Sequence, residues 1–178
     1  YVLLGGESGI GKTRLALEMA NRATAFGIRV FHGECLASSQ EALHPLVRPL
    51  QQFADLCRER GEQETARLLG PRGKILALYE PSLGSLPGVA SFSEPDPLPV
   101  DAARARLFGV LGEVLAGVAE LGAFLLVLDD LQWADELTRQ FLLHALQSGM
   151  LARLPIAFLG TYRVEEMEDG IRRMMEHS

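Results

Sequence analysis

GGESGIGKT, residues 5–13, follows only four residues, the apolar run YVLL. The stretch fits the pattern Gly-x-x-x-x-Gly-Lys-Ser/Thr in full: Gly6, then Glu7, Ser8, Gly9 and Ile10, then Gly11, Lys12 and Thr13. Each residue type has a physical task. Glycines let the backbone wrap close to phosphate oxygens in conformations that a Cβ forbids. The N–H groups of the loop and of the helix start behind it then point at the anion. Lys12 places a point charge on the β- and γ-phosphates, and the Thr13 hydroxyl is a ligand for Mg2+. Residues 6–14, ending on Arg14, are therefore the candidate nucleotide-binding segment.

The surrounding pattern suits this reading. YVLL reads as a buried strand that ends in the glycine cluster. From Lys12 onward Leu15, Met19 and Ala23 recur at helical spacing, and Gly27 is a C-terminal stop. IRVFHGE, residues 28–34, alternates like a second strand. Helices are expected over residues 45–60, 62–69 and 74–79. Five of the nine prolines fall within residues 81–99, which read as a long, irregular surface loop. A helix follows, with Asp101 as its N-cap and an apolar stripe of Leu107, Val110, Leu111, Val114, Leu115, Val118 and Leu121. AFLLVLDD, residues 123–130, is a continuous apolar run closed by two acids, as expected of a central parallel strand. Residues 135–147 read as a helix capped by Asp135, residues 155–163 as a fourth strand, and a short helix is expected from Glu165. Strands alternating with helices imply an α/β fold with parallel strands, whose ligands sit at the carboxyl ends of the strands.

The chemistry-bearing residues follow the apolar runs. Asp129 is assigned to Mg2+, held rigidly by its strand. Asp130 is then a candidate general base for the attacking water, the alternative being a solvated strand end or helix cap. Arg163 ends the fourth strand, where a cation stabilises charge on a γ-phosphate; the alternative is an ion pair with Glu165 or Glu166. Thr161 is a second candidate for holding the water. Trp133 and Leu131 are expected to pack against neighbouring helices. His44 and Glu34 lie at the ligand-facing edge and are expected to be structural.

Composition narrows the function. A net charge of −6 argues against direct nucleic-acid binding. The longest apolar runs are too short to span a bilayer, and no leader-peptide pattern is visible. Cys35 and Cys57 form no Cys-x-x-Cys pair and read as buried, reduced thiols of a cytoplasmic protein.

GESGIGKTRL, RARLFGVLGEVL, LLVLDDLQWADE and FLGTYRVEE occur in that order. Together they resemble the nucleotide-binding domain of the STAND class of P-loop ATPases, relatives of the AAA+ ATPases. The resemblance is closest to the AAA-type domain of large bacterial LuxR-type transcriptional regulators and of some nucleotide cyclases. It implies a three-layer αβα sandwich with a mainly parallel sheet in the order 5-1-4-3-2. It also implies ATP and Mg2+ as ligands, slow hydrolysis serving as a switch, and Arg163 as the γ-phosphate sensor. On this resemblance residues 1–178 are expected to form one core domain that opens inside its first strand and stops before its fifth. Its expected partners are ATP or ADP, other domains of the parent chain, and further copies of it.

Other functions sharing the loop fit less well. A small-molecule kinase needs a lid with several arginines, and Arg48, Arg58, Arg60, Arg67 and Arg72 are scattered. A GTPase needs an Asn-Lys-x-Asp guanine reader, which no segment supplies. A nucleic-acid motor sits badly with the acidic charge. Binding without hydrolysis remains a direct alternative, because the loop is intact.

Overall fold

The computed structural model describes residues 1–39, 41–166, 172 and 174. The chain gathers into two compact units, one of residues 1–49 and 121–178, the other of residues 50–120.

The first unit is built on four strands: β1 (Val2–Gly6), β2 (Arg29–Glu34), β3 (Phe124–Asp129) and β4 (Ile156–Arg163). They form one sheet in the order β1-β4-β3-β2, and every pairing is parallel. The strand expected over residues 155–163 thus lies between the first and third. The helices, in chain order, are α1 (Lys12–Ala25), α2 (His44–Arg60), α3 (Glu62–Leu68), α4 (Arg72–Leu76), α5 (Val100–Glu120), α6 (Glu136–Gln147) and α7 (Met150–Arg153). The parallel pairings explain why β1 and β2 are joined through α1, and β3 and β4 through α6 and α7. All six residues of β3 are buried, as its unbroken apolar sequence requires.

The helix expected from Lys12 is present, with Leu15 and Met19 on its exposed side: Leu15 is 50% exposed and Met19 38%. The buried face of α1 is instead Ala16 and Ala20, with Ala23 beside them, packed on Leu4, Val30, Leu125, Val127 and Leu159. Small side chains let the helix axis come close to the strands, which leucine at those positions would prevent. The helix end at Gly27 is as expected, with φ of 75° there. Asp135 caps α6 by accepting from the Thr138 amide at 3.0 Å, and its same oxygen accepts from the Leu43 amide at 3.1 Å.

Leu131 and Trp133 both reach β4, the first at Gly160 and the second at Arg163. The 3-10 turn Leu131–Trp133 lies on β4. A Cβ on Gly160 would fall 2.4 Å from Leu131 Cδ1, so glycine is what lets the turn settle onto the strand.

In the second unit, Leu83, Leu86 and Val89 are fully buried, so the proline-rich segment is not a surface loop at its start. Those three recur every third residue through the 3-10 turn Pro81–Leu83 and the turns after it. Only residues 93–99 are without regular structure or turns. Asp101 does not cap α5. The helix begins one residue earlier, the Pro99 carbonyl accepts from the Ala103 amide at 2.9 Å, and Asp101 pairs with Arg104 at 2.9 Å. Proline's fixed φ prepares the chain for that start. The stripe on α5 is buried at Leu107, Val110, Leu111, Val114 and Val118. α4 starts and ends a little earlier than expected. The Cys57 thiol is pushed up to about 11 by burial, and Cys35 is likewise buried and free.

The helix expected from Glu165 falls mostly outside the described residues, beyond the 3-10 turn Val164–Glu166. Among the described residues no helix is long and apolar enough to cross a membrane.

Candidate functional site

The register brings the chemistry-bearing residues to one edge of the sheet. Gly6 on β1 pairs with Arg163 on β4. Glu34 on β2 pairs with Asp129 on β3. Leu128 pairs with Gly160, so Asp129 and Thr161 come next on neighbouring strands. All four strands therefore end together, beside the loop that leads into α1.

A pocket of about 430 Å³ opens there. It is lined by Ser8, Gly9, Gly11, Lys12, Thr13, Arg14 and Leu17 from the loop and α1, and by Asp130 and Arg163 from two other strand ends. Leu17 was not legible as a site residue. Gly9 has φ of 80° and Gly11 φ of 100°. Backbone in this left-handed region turns successive N–H groups inward, and side-chain-bearing residues resist it. Gly6 and Glu7 contribute through their carbonyls, each accepting from Lys12 Nζ at 2.8 Å. Ile10 lies outside the pocket lining and is 69% exposed.

The loop already holds an anion. Glu165 accepts from the Ser8 amide at 2.8 Å. Its own backbone amide, then that of Ser8, hold the carboxyl below the usual carboxylate range, and the charges of Lys12 and Arg163 act in the same direction. A carboxylate thus sits on an N–H of the glycine-rich loop.

Asp129 is 4% exposed. The buried Thr161 hydroxyl donates to its Oδ1, and the same hydroxyl accepts from the Asp130 amide at 2.9 Å. With its proton committed to Asp129, Thr161 fixes the two acids relative to β4 rather than donating to a water. Oδ2 of Asp129 takes no hydrogen bond from the described residues. The hydroxyl of Thr13 and this carboxylate are hard oxygen donors, which suits a Mg2+ that takes its remaining ligands from phosphate and water. No group of three or more His, Cys, Asp or Glu that could hold a metal occurs among the described residues.

Asp130 has φ of 56° and ψ of 50°. A non-glycine residue held in this region stores strain, and such residues cluster at functional sites. The turn aims its side chain toward β4. Oδ1 accepts from Gln132 Nε2 at 2.8 Å and lies 3.5 Å from Arg163 Nε. Gln132, 4% exposed, also accepts from the Arg163 amide at 3.0 Å through Oε1. Its single amide therefore ties the Asp130 carboxylate to the end of β4. Sequence reasoning passed over Gln132, whose partners lie in register only after folding.

Arg163 pairs with Glu166 at 3.0 Å and also lines the pocket. Its guanidinium carbon lies 4.3 Å from the centroid of the Trp133 ring. Trp133 Nε1 donates to Glu166 Oε2 at 2.9 Å. His44 and Glu34 do not line the pocket.

Residues 1–159 match the family model described as the AAA ATPase domain. The chain is also similar to the uncharacterized protein R02095 of Rhizobium meliloti (strain 1021), with 26% identity over 177 residues. That similarity covers 91% of this chain but only 16% of the relative's length.

Proposed function

Because this chain belongs to the family of AAA ATPase domains, we infer that its pocket binds ATP with Mg2+ and hydrolyses it slowly, as a switch within a larger bacterial signalling or transcriptional regulator. The observation that carries this reading is that Ser8, Gly9 and Gly11 to Arg14 share one pocket with Asp130 and Arg163. In this reading residues 6–14 cradle the phosphates, and Lys12 leaves the carbonyls of Gly6 and Glu7 for the β- and γ-phosphates. Thr13 and Asp129 hold the Mg2+, which offsets phosphate charge. Asp130 orients the attacking water, and Arg163 meets the γ-phosphate. Difference in contacts between ATP and ADP is what would bias the packing of neighbouring domains.

Calorimetric titration of Mg-ATP into wild type and Lys12→Ala tests the assignment. Loss of a charge-assisted bond to phosphate predicts affinity weakened about tenfold or more. Equal affinity in the two proteins refutes it.

One observation favours a second reading, binding without hydrolysis. Oδ1 of Asp130 is engaged by both Gln132 and Arg163, and these contacts compete with an attacking water for that oxygen. Single-turnover hydrolysis by wild type and Asp130→Asn separates the two. A wild-type rate that the variant loses supports hydrolysis; no rate in wild type supports binding alone.

A further inference from the structure

Arg163 is held from three sides by groups that are not phosphate. The Trp133 face lies against its guanidinium carbon at 4.3 Å. Glu166 spans the pair, accepting from Arg163 Nη1 at 3.0 Å through Oε1 and from Trp133 Nε1 at 2.9 Å through Oε2. Asp130 Oδ1 lies 3.5 Å from Nε. Nη2 bonds to none of the described residues, and the side chain is only 25% exposed.

The geometry points to Trp133 as a positioning residue for Arg163, with Glu166 as the clip that holds indole and guanidinium together. The inference rests on the nucleotide-site reading above. A guanidinium stacked on an indole keeps its N–H edge in one plane, so rotation about its own long stem is restricted. An arginine left free would lose side-chain entropy on meeting a phosphate; one already stacked loses less. Trp133 therefore favours the ligand that reaches Arg163, which is the triphosphate, and leaves the diphosphate unaffected. Discrimination between ATP and ADP is the property it controls. The clip has a second effect. A γ-phosphate that draws the guanidinium from Glu166 changes the surroundings of the indole, and Trp133 is the single tryptophan of the chain.

Two measurements on the 178-residue chain test this. First, dissociation constants for ATP and ADP are measured for wild type, Trp133→Leu, Trp133→Phe, Arg163→Ala and Trp133→Leu/Arg163→Ala. Trp133→Leu is expected to reduce the ATP preference about fivefold, the general strength of a cation–π contact, with ADP affinity unchanged. Trp133→Phe, which keeps an aromatic face, restores most of it. The double variant is expected to be no worse than Arg163→Ala alone. Additive effects, or an unchanged ATP preference in Trp133→Leu, overturn the inference. Second, the emission of Trp133 is followed in wild type, which needs no variant at this position. ATP and ADP are expected to give different spectra, and Arg163→Ala to abolish the difference. Identical spectra at saturation overturn the inference even if Trp133→Leu does not fold. Failure of the underlying reading looks different: wild type then binds neither nucleotide, or Lys12→Ala binds as well as wild type.

Discussion

Thr161→Val removes one oxygen from the centre of the site and almost nothing else. Valine has nearly the volume of threonine, so no cavity opens and the methyl packing stays. Two bonds are lost: the one the hydroxyl donates to Asp129 and the one it accepts from the Asp130 amide. Thr161 is 0% exposed, so water does not replace either bond. A buried N–H left unpaired costs about 1–3 kcal/mol, and a carboxylate that loses a donor costs about as much or more. Because both losses come through one atom they do not add fully, and the expected destabilisation is about 2–4 kcal/mol. Urea unfolding at constant m gives the number. Thr161→Ser is the control: it keeps the hydroxyl and gives up one methyl, worth about 1 kcal/mol. The valine variant should also need more Mg2+ for half-maximal nucleotide binding, since Asp129 loses the group that orients it. Thr161→Val within about 0.5 kcal/mol of wild type, or Thr161→Ser as damaging as valine, would refute the reasoning, the threshold being the usual scatter of surface changes.

Two more expectations come from the same region. Glu165→Gln removes the charge that occupies the Ser8 amide, and ATP affinity at neutral pH should rise about two- to fivefold, as for an exposed ionic contact. The carboxyl is held low, so its contact is complete above the usual carboxylate range and fades as pH falls through the depressed value. The gap between wild type and variant should close on the acid side, as read by calorimetry. Gly33→Ala puts a methyl 1.9 Å from the Pro45 carbonyl oxygen and 2.9 Å from Leu128 Cδ2; since backbone must move, a loss of about 1–3 kcal/mol is expected in urea unfolding, and an unchanged midpoint would count against the close approach.

Much of the sheet was legible in the sequence because its signals are local. The strands and helices followed from apolar runs separated by helical spacing, while their order in the sheet came only with the family resemblance; the loop, Asp129, Asp130 and Arg163 each stand at the end of such a run. What stayed hidden depends on packing. In α1 the spacing of Leu15, Met19 and Ala23 marks a helix but not its buried side, which is Ala16 and Ala20 with Ala23 partly buried. In residues 81–99 the prolines hide buried Leu83, Leu86 and Val89 at every third position. The Arg163–Glu166 pair is local and was among the alternatives read from the sequence, but the bonds of Gln132 to Arg163, Glu165 to Ser8 and Glu166 to Trp133 reach about thirty or more residues along the chain, so no local pattern marks them. Trp133 was seen, but its contact with the Arg163 guanidinium on β4 was not.

The Ser8–Glu165 contact also bears on how the pocket fills and empties. Where a carboxylate already neutralises the loop, an incoming phosphate replaces one anion by another. Few bound counterions are released, so binding should depend only weakly on ionic strength. The loop keeps its shape between visits instead of waiting to be folded by its ligand. On the way out, the returning carboxylate takes the place of the departing phosphate. On the proposed nucleotide reading Glu165 is therefore a built-in displacer, a side chain that would set part of the lifetime of a bound nucleotide without touching it.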